Sequence, residues 1–288
     1  MASHAVHHYV PVFLLKEWQS APDHKLSCFQ WVQGHLLHNR YKAKSVAKEE
    51  GLYKLEGVQP GLENTVERDF LGPDVDDPAA VAHQVILGRG VRALSVQGRV
   101  DWTRFLISLL LRTPDQVEMI RTRGRESLTA EFKKSPEEYT NVRGDDPAAS
   151  LTEWVEQNNP AVFTNFGVEL FPALVGSGML NQALVQASWA TRIFPSSCVS
   201  LLIGDNPLIY IGAMARSFLI ALPIAAHRVF FAFNHPQTWR ILQGRSDASV
   251  AKNVNRDTVG RAVQYVYGTD DGQRRFIERY LRKPAAVG

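Results

Sequence analysis

The stretch Ser200-Leu-Leu-Ile-Gly-Asp-Asn-Pro-Leu-Ile-Tyr-Ile211 decides how this 288-residue chain is read. Two apolar runs of β-type, Ser200 to Ile203 and Leu208 to Ile211, flank Gly204-Asp205-Asn206-Pro207. Glycine tolerates positive φ, Asp and Asn bond back to nearby amides, and Pro presets φ, so the four residues predict a tight turn and the whole stretch a hairpin. Downstream, Phe218 to Ile224 and Arg228 to Phe233 predict two more strands around Ala225-Ala226-His227. Near the N-terminus, Leu26 to Gln33 and His35 to Ala43 read as a hairpin reversing at Gly34.

The rest of the chain is patterned for helices. Pro11 suits a first helical turn, with Phe13, Leu14 and Trp18 on one face. Asp77 at the N-cap and Pro78 at the first helical position open a helix that Ala79 to Ile86 continue. Asp101 caps another, whose stripe of Trp102, Phe105, Leu106, Leu109 and Leu110 runs to Arg112. Thr113-Pro114-Asp115 ends it and begins a helix to about Phe132. Residues 134–150 read as an exposed loop. Helices are expected at 150–158, 175–192, 250–267 and 272–282. Long helices first and clustered strands later predict an α+β fold. It should be mainly helical, with an N-terminal hairpin and a small antiparallel sheet formed largely by residues 199–234. No repeat or linker divides the chain, so one domain over 1–288 is expected.

Apolar content of 45% with 21% charged residues is that of a globular protein. The net charge of +3 is too small to imply a nucleic-acid partner. Basic residues gather at Arg121-Thr-Arg-Gly-Arg125 and at Arg274-Arg275, both read as solvated helix faces. Cys28, a strand residue, and Cys198, in an apolar run and expected to be buried, follow no metal or redox spacing and suit a reducing cytoplasm. Residues 1–9 carry no leader pattern. The longest apolar run, Ser217 to Ala226, is about half the roughly 20 residues that a membrane helix needs. A soluble cytoplasmic protein without membrane contact is expected.

Several landmarks fall in a recognisable order: His8-Tyr9-Val10-Pro11, Gly51-Leu52-Tyr53, Arg112-Thr113-Pro114 closing a helix, and a Trp-containing helix. Asp205-Asn206-Pro207, Leu222-Pro223-Ile224, and Asn255 with Ala262 in a late helix follow. This order resembles the bacterial family called Domain of Unknown Function 4238, over about residues 5–270. Leu109 stands where that family commonly has a Gln, and Asp76 or Asp77 where it has a Glu. The resemblance implies a bacterial, intracellular protein and no established reaction, cofactor or partner.

Candidate chemistry centres on a few polar residues. His7 and His8 are adjacent, so in an extended segment they point to opposite sides. One can serve as acid, base or ligand while the other packs or is solvated. Tyr9 donates a hydrogen bond into the same site or packs as a half-buried aromatic. Asp205 acts as base or metal ligand at the mouth of the sheet, or only holds the turn amides with Asn206 and Pro207. Arg112 clamps a phosphate or carboxylate, or caps the last carbonyls of its helix. Asn255 faces the site or caps the late helix. There is no Walker loop, Gly-x-Ser-x-Gly elbow, HExxH, Cys-x-x-Cys or strand-linked Gly-x-Gly-x-x-Gly.

Three functional readings result. In the first, His7, His8 and Asp205 catalyse hydrolysis of a phosphate ester or nucleic acid, with Tyr9, Arg112, Asn206 and Asn255 binding the anionic substrate and a divalent metal assisting. In the second, the chain is a non-catalytic binding or effector protein, of a kind suited to bacterial defence, and these residues hold the architecture. A closed, buried pairing of Asp205 and Arg112 with His7 and His8 outside it would favour the second. The third is a nucleic-acid-binding protein, which a steep fall of affinity with salt would support and the modest net charge does not.

Overall fold

The computed structural model describes residues 6–134, 136–214 and 216–284. In chain order it contains β1 (Val6–His8), α1 (Val12–Leu15), β2 (Leu26–Val32), β3 (His35–Tyr41) and β4 (Lys48–Glu50). A π-helical segment, Val66–Asp76, leads into α2 (Asp77–Arg89), α3 (Val96–Leu111), α4 (Pro114–Phe132), α5 (Pro136–Val142) and α6 (Leu151–Asn158). Next come α7 (Ala161–Glu169), α8 (Phe171–Val175), α9 (Gly178–Gln186), β5 (Ser188–Ile193), β6 (Ile203–Gly204) and β7 (Ile209–Gly212). The chain ends with β8 (Phe218–Ala225), β9 (Arg228–Phe233), α10 (Pro236–Gln243), α11 (Asp247–Arg261), β10 (Tyr265–Gly268) and α12 (Arg274–Tyr280). The fold is α+β. Contacts divide it into two units: the chain through His7 with Glu49–Asp74 and Pro114–Ser177, and His8–Lys48 with Val75–Thr113 and the chain from Gly178.

The first unit is helical. In it α4 and α7 approach closely because glycines face each other: a Cβ built on Gly124 would lie 2.7 Å from the Gly167 Cα. One built on Gly167 would lie 2.9 Å from the Arg121 Cα. Both obstacles are backbone, so the helices would have to move apart to admit a side chain. Tyr53 is fully buried, stacked on His7 at 5.3 Å and edge-on to Phe171 at 5.5 Å. Asn165 on α7 accepts from the Glu56 N–H and donates to the Glu56 carbonyl, both at 2.8 Å, and so pins an irregular segment to a helix.

The second unit holds two four-stranded antiparallel sheets, ordered β3-β2-β10-β6 and β5-β9-β8-β7. Helix α11 serves both. Val250, Ala251 and Val254 join Ile209, Ala221, Val229 and Phe231 in one core, while Val259 and Ala262 join Phe29, Trp31, Val266 and Ile277 in another. Along a helix these two sets lie about two turns apart, so one helix meets both sheets.

The N-terminal hairpin, β8 and β9 form as the sequence predicts, but the hairpin across Gly204-Asp205-Asn206-Pro207 does not. Ile203 and Gly204 pair with Tyr267 and Val266 of β10, whereas Ile209 to Gly212 pair with β8 in the other sheet. The turn residues are present, yet Asp205 is held to β10 from both backbone and side chain, and this draws β6 away from β7. Four helix boundaries also move. Ser95, not Asp101, caps α3, accepting from the Gly98 N–H at 3.0 Å. The expected 175–192 helix stops at Gln186 and continues as strand β5, and the expected 250–267 helix stops at Arg261 ahead of strand β10. In both, β-branched and aromatic residues find a strand partner, and tertiary pairing overrides helical pattern. Part of the expected 134–150 loop is α5, and α7 and α8 occupy a region for which no element is expected. Asp77 is the first helical residue of α2 rather than its cap.

By length and composition, the helical stretch 161–186 could cross a membrane, with a mean hydropathy of 1.2 in its most apolar window. Breaks after Glu169 and Val175 divide it into α7, α8 and α9, each far short of the roughly 20 residues required.

His83 on α2 lies in the core of the second unit. It is fully buried, stacked parallel on Trp102 at 5.8 Å, and its Nε2–H donates to the Ile224 carbonyl at 2.8 Å. Burial lowers its pKa from 6.5 to about 4, against the opposing effect of that bond. The folded form therefore favours the neutral ring. Its contribution is full above the unfolded value of 6.5 and is lost as pH falls from there through about 4. The effect is worth about 3 kcal/mol. Urea titrations are expected to show stability falling between those pH values, with a shallower fall in His83→Leu. Equal slopes in the two proteins would refute the assignment.

Candidate functional site

The residues singled out from the sequence are for the most part anchored in the architecture. His7 is buried in the first unit. Its Nδ1 accepts from the Tyr53 N–H at 3.0 Å and its Nε2–H donates to Asn64 Oδ1 at 3.2 Å, which selects a neutral ring. His8, half-buried in the second unit, donates from Nε2 to the Lys44 carbonyl at 3.2 Å, and burial holds its pKa below the usual value. Tyr9 is buried, its backbone N–H bonded to the Ala47 carbonyl at 3.0 Å.

Asp205 is the clearest structural pin. It is 4% exposed, and its two carboxylate oxygens accept from the N–H groups of Val263, Gln264 and Tyr265 at 2.8, 2.7 and 2.8 Å. Its own N–H donates to the Tyr265 carbonyl at 3.0 Å. These bonds organise the segment that enters β10. Burial raises the carboxyl above its ordinary pKa, and the amides oppose that rise. Asn206 is half-buried beside it.

Arg112 is fully buried at the end of α3. Its Nη1 donates to both oxygens of Asp76, at 2.9 and 3.1 Å, and its Nη2 to Ser108 Oγ at 2.8 Å. Asp76 is thus the partner of Arg112. Asp205 and Arg112 are each closed and buried, but with other partners than each other. Among the described residues no three His, Cys, Asp or Glu side chains gather in a way that could hold a metal ion.

Two cavities offer contrasting chemistry. In the first unit, about 690 Å³ is lined by Glu49, Glu50, Glu56, Asp115 and Glu118 together with Arg121 and Arg125. Arg121 is bonded to the carbonyls of Thr164 and Lys54 at 2.8 and 3.0 Å, and Arg125 pairs with Glu156 at 2.9 Å. With the cations engaged and the carboxylates in excess, this cleft repels anions.

In the second unit, about 510 Å³ opens between the start of α11, the 197–199 segment and α12. Val199, Ala248, Cys198 and Phe276 supply apolar wall, and Lys252 and Arg275 are exposed and have no ion-pair partner among the described residues. Its floor is polar but fully bonded. Asn255 Oδ1 accepts from the Leu202 N–H at 2.9 Å, and its Nδ2 donates to the Ser200 carbonyl and to Gln273 Oε1, each at 2.9 Å. Gln273 Nε2 donates to the Ser200 carbonyl at 2.7 Å.

Asn255 therefore lines a cavity and also fixes the backbone around it. It lies inside α11, whose N-cap is Ser246, so it is not a helix cap. Lys252, Gln273, Arg275 and Phe276 escape notice in the sequence as site residues. The Arg274-Arg275 pair is the visible signal, and what distinguishes Arg275 is the cavity it borders. Cys198 is half-buried at that cavity rather than buried, while Cys28 is buried in β2, and both are free thiols.

A family model described as a protein of unknown function (DUF4238) matches residues 6–272. No curated protein and no solved structure matches the chain.

Proposed function

We propose, for a chain that belongs to this family of unknown function, a soluble, cytoplasmic, bacterial binding protein that holds an anionic ligand and does not hydrolyse it. One observation carries the reading: the carboxylate and guanidinium that a hydrolytic site would use are committed to internal bonds, while two unpaired cations border a cavity elsewhere in the second unit. A general base must reach its substrate's proton, and Asp205 is buried with three backbone amides on its two oxygens. Two free cysteines support a reducing compartment, and the broken helical stretch 161–186 supports solubility.

The test is a panel of phosphate-ester and nuclease assays beside calorimetric titration with an inorganic and organic anion panel. Binding is expected without turnover, and the double variant Lys252→Ala/Arg275→Ala is expected to lose it. Turnover that disappears in Asp205→Asn, with the fold retained by circular dichroism, would restore the hydrolase reading.

A further inference from the structure

The cavity between α11 and α12 restricts the class of anion that fits it. We infer that its ligand is an amphiphilic monoanion: an apolar body of modest size carrying one carboxylate or similar head group. The inference rests on the anion-binding reading above and adds the chemistry of the body. About 510 Å³ lies within the range of small-molecule sites, which are mostly apolar with a few placed polar groups.

The walls follow that division. Val199, Ala248 and the Phe276 ring are apolar, and Phe276 is held in place against Tyr280 at 4.8 Å. The amide groups of Asn255 and Gln273 are engaged with Ser200, Leu202 and each other, so the floor is not a set of free donors awaiting a polyhydroxylated or base-bearing ligand. Lys252 and Arg275 have no ion-pair partner among the described residues, and both are exposed. The lining also includes the exposed Ser197 and Gly272; two cations at a cavity whose walls are Cys198, Val199, Ala248 and Phe276 and whose floor is bonded amides suit one anionic head, with the body in the pocket. A polyphosphate or nucleic-acid strand would leave most of its charge uncompensated there and would desolvate its polar groups against Phe276 and Val199.

The surrounding charge points the same way. Residues 236–283 carry ten Lys or Arg against five Asp or Glu, so an anion approaches this region down a favourable potential. The cleft of the first unit, with its surplus of carboxylates, offers the opposite.

Octanoate, octanol and inorganic phosphate serve as probes of the whole chain by calorimetry. Octanoate is expected to bind, with octanol and phosphate each at least about tenfold weaker, since a charged hydrogen bond and the buried chain each contribute that much or more. Lys252→Ala/Arg275→Ala should weaken octanoate by about tenfold or more and leave octanol unchanged. Ala248→Trp fills the cavity from an exposed position and should abolish octanoate binding without changing the unfolding midpoint. Phosphate binding as tightly as octanoate, and losing affinity in the double variant, would overturn the amphiphile while leaving the anion-binding reading intact. Octanol binding as tightly as octanoate would overturn both, as would failure of octanoate and phosphate alike to bind.

Discussion

Replacing Asp76 by alanine is expected to destabilise the protein by about 3–5 kcal/mol, and more than replacing Arg112 by methionine does. The asymmetry follows from burial. The Arg112 side chain is 0% exposed and the Asp76 side chain 21% exposed. Removing Asp76 takes the two-oxygen acceptor from a guanidinium that has no water to turn to. Removing Arg112 leaves a carboxylate that water can reach, while methionine fills much of the space. The double variant Asp76→Ala/Arg112→Met is expected to recover much of the loss, because an apolar pair needs no counter-charge. Urea unfolding of the four proteins measures the coupling. A cost below about 1 kcal/mol for Asp76→Ala would show that another group compensates the Arg112 charge.

Asp205→Ala is expected to cost about 3 kcal/mol, because three part-buried amides lose together a charged acceptor that is itself buried. Val263 is bonded to one carboxylate oxygen, and Gln264 and Tyr265 share the other. Asparagine offers a single oxygen and turns an N–H₂ toward whichever amides it cannot serve. Asp205→Asn should therefore fall between wild type and Asp205→Ala. Because these amides precede and open β10, hydrogen exchange is expected to quicken in Tyr265–Gly268 and in the paired part of β2. An alanine variant as stable as wild type would remove Asp205 from its structural role and return it to consideration as a chemical group.

These two predictions also mark how far the candidate site is legible in sequence. Arg112 and Asp205 stand out because each is a charged residue set against apolar runs, and such residues acquire fixed partners. Their conspicuousness signals a buried, satisfied group as readily as a catalytic one. Only the partner distinguishes the two cases, and the partners lie 36 residues away for Arg112 and 58 to 60 residues away for Asp205. Lys252 and Arg275 show the converse. On helix surfaces rich in basic residues nothing local sets them apart, and their interest comes from the cavity that α11 and α12 border.

The sequence by itself determined the α+β class, the N-terminal hairpin, strands β8 and β9, and the family landmarks, because turn chemistry and side-chain periodicity act over a few residues. Only the tertiary structure decided what Ser200 to Ile211 becomes. An apolar run declares that it will be buried but not beside which strand, and a turn-forming quartet permits a hairpin without requiring one. The bonds from Asp205 to residues 263–265, with the pairing of Ile203 and Gly204 to β10, send the two halves of that stretch into different sheets. Hydrogen bonds between residues so distant along the chain are set by three-dimensional packing, which no local pattern encodes.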